Sequence, residues 1–341
     1  MASQQSNTDK MPETQQVTPE TTNSVVVVEN RLAYIGIIIP MSILGTLIRI
    51  GLLRLETYEG APVFGLVYAQ WIGCFIMGIA VQKKGWFQYV YPPLQVGLST
   101  GLCGSITTFS SWQRDIFEGF ANYTQANHYT GYNILAAISQ LLVTLAMSLN
   151  GLIFGRHVGR ILLPFEPPPF KLIRRPLAPW QEKESFRKTD WLVIAFGILS
   201  WIGVIIAAAL ATQQRALAFA CVFSPVGALL RWYLSFINTK YVNFMYGTFA
   251  ANMIGTLTLA ILSLAGNGVY ISSIGCQVLL GLADGFCGCL STVSTFVVEL
   301  TSLPLYQSYI YGTTSVVVGQ IFMFLIFGTY IWTQGINPTC I

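Results

Sequence analysis

Arg49 and Arg231 are the only basic residues deep inside long apolar runs of this chain. A charge at the centre of an isolated membrane helix costs at least about 2.5–3.5 kcal/mol, so such a residue faces protein or water. Two readings stay open: the arginines draw an anion into a vestibule, or they bond backbone carbonyls exposed at a helix break. Gln70 and Asn252 also lie within apolar runs. Each can donate from an NH2 group, which bonds an anion without a charge to trap it; the plainer use is a helix–helix hydrogen bond.

Two further stretches carry poor helix-formers at membrane depth: GLCGSITTFSSW over 101–112 and GFCGCLSTVSTF over 285–296. Each predicts an interrupted helix. Unwound backbone survives there only when buried in protein or lining a site. Freed carbonyls are hard ligands, and four of them meeting at a two-fold axis suit Na+. After the break stand Phe109 and Trp112 in one copy, Val293 and Phe296 in the other. An aromatic edge is positive and can face an anion that has shed water, although a phenylalanine in a membrane core is more often plain packing. Tyr311 and Ser315 share a helix face, as do Gln140, Thr144 and Ser148. Those stripes either hydrate a path or tie neighbouring helices.

Such residues need a membrane scaffold, and composition supplies one. Hydrophobic residues make up 53% of the 341 and charged residues 9%, with mean hydropathy +0.59. Soluble domains carry roughly 25% charged residues, so this is an integral membrane protein. Nine runs long enough to cross a bilayer are expected, near 33–53, 62–82, 94–113, 133–155, 191–212, 216–237, 243–265, 274–299 and 311–333. Residues 1–30 are polar, lack signal-peptide character and read as a disordered cytosolic tail. The segment from Arg156 to Asp190 holds eight basic and four acidic residues, which makes it cytoplasmic. The N-terminus is then inside, the C-terminus outside, and the Asn122 sequon outside. Seven cysteines without CxxC spacing argue against disulfides and zinc. The net charge of +4 does not point to nucleic acid.

The chain also repeats itself. Gly45-Thr-Leu-Ile-Arg49 returns as Gly227-Ala-Leu-Leu-Arg231, and Gly65 to Gly73 as Gly247 to Gly255, each 182 residues on. Gly97 to Gly104 returns as Gly281 to Gly288, 184 residues on. The expected fold is all-α: two four-helix repeats, 31–160 and 216–341, joined through 161–215 by a charged loop and one apolar linker helix. A single extra crossing inverts the second repeat, a design that puts a permeation site at the repeat interface.

GxxxR, AN-x-x-G and G-x-C-G-x-x-[TS]-T-x-S-[TS]-[FW] together resemble the Fluc/FEX family of fluoride channels and exporters, in its fused eukaryotic form. The resemblance implies a passive channel that lets fluoride leave the cytoplasm across the plasma membrane. It implies a structural Na+ on the carbonyls of Gly104, Thr107, Gly288 and Ser291, a pore amide at Asn252 with Gln70 as counterpart, and vestibule arginines Arg49 and Arg231. Thr108, Thr292, Tyr311 and Ser315 would join the pore. One chain replaces the dimer, with lipid around it. Family pores take the first ring of one unit and the second of the other, so Phe109 and Phe296 make an intact pair while Val293 and Trp112 make a spoiled one. One conducting pore of two follows.

A coupled transporter with Asp284 carrying protons is the alternative; Asp284 stands where the first half has Thr100. Glu299, at a span end, reads as solvated. No phosphate-binding loop of the Walker type occurs, which disfavours a pump, and nothing reads as an enzyme.

Overall fold

The computed structural model describes residues 30–56, 58, 60–162, 187–211, 213–240, 243–336 and 340. All regular structure among them is helical: α1 Arg31–Glu56, α2 Leu66–Gln82, α3 Lys84–Val90, α4 Pro92–Val96, α5 Gly104–Ile106, α6 Phe109–Ala121, α7 Gly131–Leu162, α8 Lys188–Leu210 and α9 Arg215–Ser235. The chain continues with α10 Tyr246–Gly268, α11 Ser273–Gly281, α12 Gly288–Leu290, α13 Ser294–Ser302, α14 Leu305–Phe322 and α15 Thr329–Gln334. Short π-helices link α4 to α5 (Gly97–Cys103), α11 to α12 (Leu282–Cys287) and α14 to α15 (Met323–Gly328). The expectations for the tail up to residue 29 and for 163–186 of the charged loop lie outside the described residues.

Seven helical stretches are long and apolar enough to cross a membrane, and the pair α2 and α3, bent by 72°, makes an eighth. The third expected run, 94–113, does not qualify, for a physical reason. No helix in it is as long as a span, and its last part, α6, runs on through Arg114, Asp115 and Glu118 to Ala121. Arg114 pairs there with Glu118 at 3.4 Å, which offsets part of the cost of so many charges beside apolar neighbours.

Large apolar side chains face outward, as lipid permits and water does not. On α8, Leu192, Phe196 and Leu199 are each more than three-fifths exposed. This linker helix touches the rest through glycine: a Cβ on Gly197 would overlap the Gly36 carbonyl, so α8 and α1 meet at backbone distance.

The central core draws on both halves. Phe109, Trp112, Ile116 and Leu152 from the first join Val293, Phe296, Val297 and Tyr311 from the second.

One expectation is overturned outright. Cys276, in the first turn of α11, is disulfide-bonded to Cys340, 64 residues away, with Cα atoms 5.3 Å apart. Spacing along the chain carries no sign of it, because the fold alone brings Cys340 to Cys276.

Candidate functional site

Helix breaks organise the centre. In the first half Thr107 and Thr108 take extended backbone angles between α5 and α6; in the second Ser291 does so after α12. Serine, threonine and glycine supply this cheaply, since short hydroxyl side chains bond nearby backbone and compete with the helix.

A carboxamide clamps each break. Gln70 Nε2 donates to the Thr108 carbonyl at 2.7 Å, and Gln70 Oε1 accepts from the Thr108 amide at 3.3 Å. Asn252 does the same to Thr292, donating to its carbonyl at 3.3 Å and accepting from its amide at 2.8 Å. Both side chains are fully buried. The consequence lies four residues back. A continuous helix would spend the Thr108 amide on the Gly104 carbonyl and the Thr292 amide on that of Gly288. With those amides diverted, both glycine carbonyls are released.

The hydroxyls then cross between halves. Thr107 Oγ1 accepts from the Ser294 amide at 3.0 Å while donating to the carbonyl of Cys103. Ser291 Oγ accepts from the Ser110 amide at 3.0 Å and donates to the carbonyl of Cys287. Thr108 Oγ1 lies 3.1 Å from Ser291 Oγ, and Thr292 Oγ1 lies 3.1 Å from Thr107 Oγ1. Each half caps the helix that resumes in the other.

The arginines cross as well. Arg49 donates to the carbonyl of Ser105 at 2.7 Å and to that of Asp284 in the opposite half. Arg231 donates to the carbonyl of Thr100 at 2.7 Å. Thr100 and Asp284 lie in the π-helical turns, whose wider winding leaves carbonyls in need of donors. A Cβ on Gly104 would overlap the Arg231 guanidinium, and one on Gly288 that of Arg49. Of the two readings open from sequence, this geometry matches bonding to carbonyls at a break. Arg231 still keeps Nε and Nη1 unpaired and buried.

The rings behave asymmetrically. Phe109 and Phe296 meet at 5.4 Å between centroids with planes at 68°, an edge-to-face contact across the halves. Phe296 also lies 5.3 Å from Tyr311. Trp112 packs edge-on to Phe109 at 5.5 Å and donates its indole N–H to the Gln140 carbonyl at 3.0 Å. Val293 is buried without a ring to offer. Ser315 is fully buried one turn beyond Tyr311 and donates back to its carbonyl. On α7, Thr144 and Ser148 are fully buried, and the Thr144 hydroxyl and Gln140 Oε1 find no partner.

Glu299 corrects the sequence reading. It is not solvated but 9% exposed, accepting from Tyr311 Oη at 2.7 Å, Thr248 Oγ1 at 2.6 Å and Asn238 Nδ2 at 3.1 Å. The available signal was its place three residues after Phe296, on the same helical face. Asp284, by contrast, lines a cleft of about 480 Å3 with Ile50, Leu53, Arg54, Ala216, Leu217 and Leu280.

Fold and site together define an all-helical, multi-pass membrane protein whose halves meet at broken helices. The family model described as CrcB-like protein, Camphor Resistance (CrcB), matches twice, over residues 37–152 and 218–329. The chain therefore belongs to the CrcB-like family. It is 34% identical to Fluoride export protein 1 of Candida albicans over 321 residues, covering 87% of this chain and 79% of the relative. It is 33% identical to Fluoride export protein 1 of Schizosaccharomyces pombe, covering 86% and 95%. Fluoride-specific ion channel FluC 2 of Staphylococcus saprophyticus is 38% identical over 104 residues, which span 29% of this chain and 84% of the relative. No solved structure matches the chain.

Proposed function

We propose that this protein is a passive, anion-selective fluoride channel that lets F− leave the cytoplasm through one intact pathway of two. The names of the relatives supply the ion. The observation that carries the pathway is the Phe109–Phe296 edge contact, with Phe296 also packed at a tilt against Tyr311. Two positive ring edges beside buried hydroxyls can replace water around a small anion, and no fixed cation holds it there. Val293 offers no ring for a second pair, and Trp112 packs against Phe109 and Phe296 themselves while its indole N–H bonds the Gln140 carbonyl. The two repeats take inverted orientations, so one chain does the work of a dimer within the lipid.

A structural Na+ is part of this proposal. The carbonyls of Gly104 and Gly288, released because Gln70 and Asn252 take their amide partners, fit a hard cation together with those of Thr107 and Ser291. A bound ion would tie the two breaks together. It would share its surroundings with the guanidinium groups on the same glycines.

The orientation has the N-terminus inside and the C-terminus outside, at the plasma membrane. Two observations support it: the basic segment after α7, and the Cys276–Cys340 disulfide, which belongs on an oxidising face.

Purified protein in liposomes tests the function. Fluoride flux should follow an imposed voltage and persist without a pH gradient. Strict proton dependence, lost in Asp284→Asn, would replace the channel with a coupled transporter. Cells lacking the protein should become sensitive to fluoride in acid medium, where HF enters uncharged and dissociates inside.

A further inference from the structure

Gln113 is fully buried on α6, one helical turn beyond Phe109 and on the same face. Its neighbours on α14 are Gly319 and Gln320. Tyr311, Ser315 and Gly319 recur every fourth residue and form the buried line of a helix otherwise turned to lipid. A Cβ at Gly319 would come within 3.0 Å of Gln113 Cγ and Oε1, so the missing side chain is the room that Gln113 occupies.

The hydrogen bonds settle which way the amide points. Gln320 Nε2 lies 2.8 Å from the Gln113 carbonyl, an acceptor only, so this atom must be the nitrogen. The same nitrogen lies 2.9 Å from the Gln113 side chain, which must therefore present Oε1 to it. Gln113 Nε2 is left pointing the other way, buried and without any partner. An unpaired buried donor costs about 1–3 kcal/mol, so a donor left open on the helix face of the Phe109 ring calls for a ligand or another reason to stay open.

We propose that Gln113 Nε2 is a fluoride-binding donor in the conducting pathway, beyond the Phe109–Phe296 pair, held in aim by Gln320. The inference rests on the channel reading above and deepens it. A carboxamide N–H suits a fluoride ion that has lost water: it is a strong donor with no charge to hold the ion fast. The site exists on one side only. In the second half the matching position, 184 residues on, is Val297, whose side chain donates nothing. Gln113 is thus a further element by which one pathway differs from the other. Gln320 acts as a positioning residue.

Gln113→Met keeps the length and removes the donor; Gln113→Asn keeps an amide on a shorter reach. Both are reconstituted beside wild type, and voltage-driven fluoride efflux is read with a fluoride electrode. Expected are efflux from wild type, a roughly ten- to hundredfold loss in Gln113→Met at unchanged monodispersity and melting temperature, and a smaller loss in Gln113→Asn. Gln320→Met should lose less than Gln113→Met. Efflux from Gln113→Met equal to wild type would overturn the inference and leave the channel standing. Should Gln113→Met fail to fold, full efflux in Gln113→Asn would equally overturn it, whereas reduced efflux would uphold it. A silent wild type would bring down the channel reading itself, and this inference with it.

Discussion

Thr107 Oγ1 lies 3.0 Å from the backbone nitrogen of Ser294, and 184 residues later Ser291 Oγ stands at the same distance from the nitrogen of Ser110. A hydroxyl that caps a helix of the other half links the folding of one repeat to that of the other. Thr107→Val and Ser291→Ala should each lower stability by about 1–2 kcal/mol. Melting in detergent checks this, and the double variant should show coupling because Thr107 contacts Thr292, the neighbour of Ser291, and Ser291 contacts Thr108, the neighbour of Thr107.

The carboxamide clamps should matter more for assembly than their size suggests. Gln70→Leu and Asn252→Leu each remove two bonds to break backbone and leave buried polar groups unpaired. A loss of about 2–4 kcal/mol is expected for each. Asn252→Asp, in contrast, keeps the acceptor for Thr292 while losing the donor. Melting curves of the three variants separate the two ends of the amide.

Gly104→Ala and Gly288→Ala test the crossed arginines. An added methyl would occupy the place of the Arg231 or Arg49 guanidinium, so each variant should expel a buried cation from its carbonyl partners. Both should express as aggregates on size-exclusion chromatography. Partial recovery of Gly104→Ala by Arg231→Met would show that the clash lies with that side chain.

The rings give a functional contrast. Phe109→Ile and Phe296→Ile should abolish fluoride resistance in cells, while Val293→Ile should be tolerated. Tolerance is also expected of Trp112→Ile from the pairing of rings, yet its indole edge supports Phe109. Trp112→Phe, which keeps an aromatic edge there, is therefore the cleaner variant and should conduct. Equal loss from all four positions would sink the single-pathway reading.

The disulfide reports on orientation. Cys276→Ser should cost about 4 kcal/mol in oxidising conditions, as expected for a closed loop of this length. After mild reduction of intact cells, an impermeant maleimide should label Cys276 and Cys340 from outside. Labelling only in permeabilised cells would reverse the proposed topology.

Much of this was legible along the chain, because the bilayer makes polar residues conspicuous. Arg49, Arg231, Gln70, Asn252 and both break segments stood out as costly material at membrane depth. Glu299 did not, since a carboxylate near the end of an apolar run looks the same whether it meets water or Tyr311. Gln113 was obscured by the charged residues that follow it. Its meaning depends on Gly319 and Gln320, more than 200 residues away.

Sequence alone determined the membrane class, the doubled halves and the residues that differ between them, because hydropathy and repetition are properties of order along the chain. Only the tertiary structure decided what those residues hold. It turned Gln70 and Asn252 onto break backbone, laid each arginine on the opposite half, and joined Cys276 to Cys340. It also left one amide of Gln113 unpaired. Pairing of buried donors and acceptors is a property of three-dimensional neighbours, and these neighbours lie from 38 to 235 residues apart along the chain.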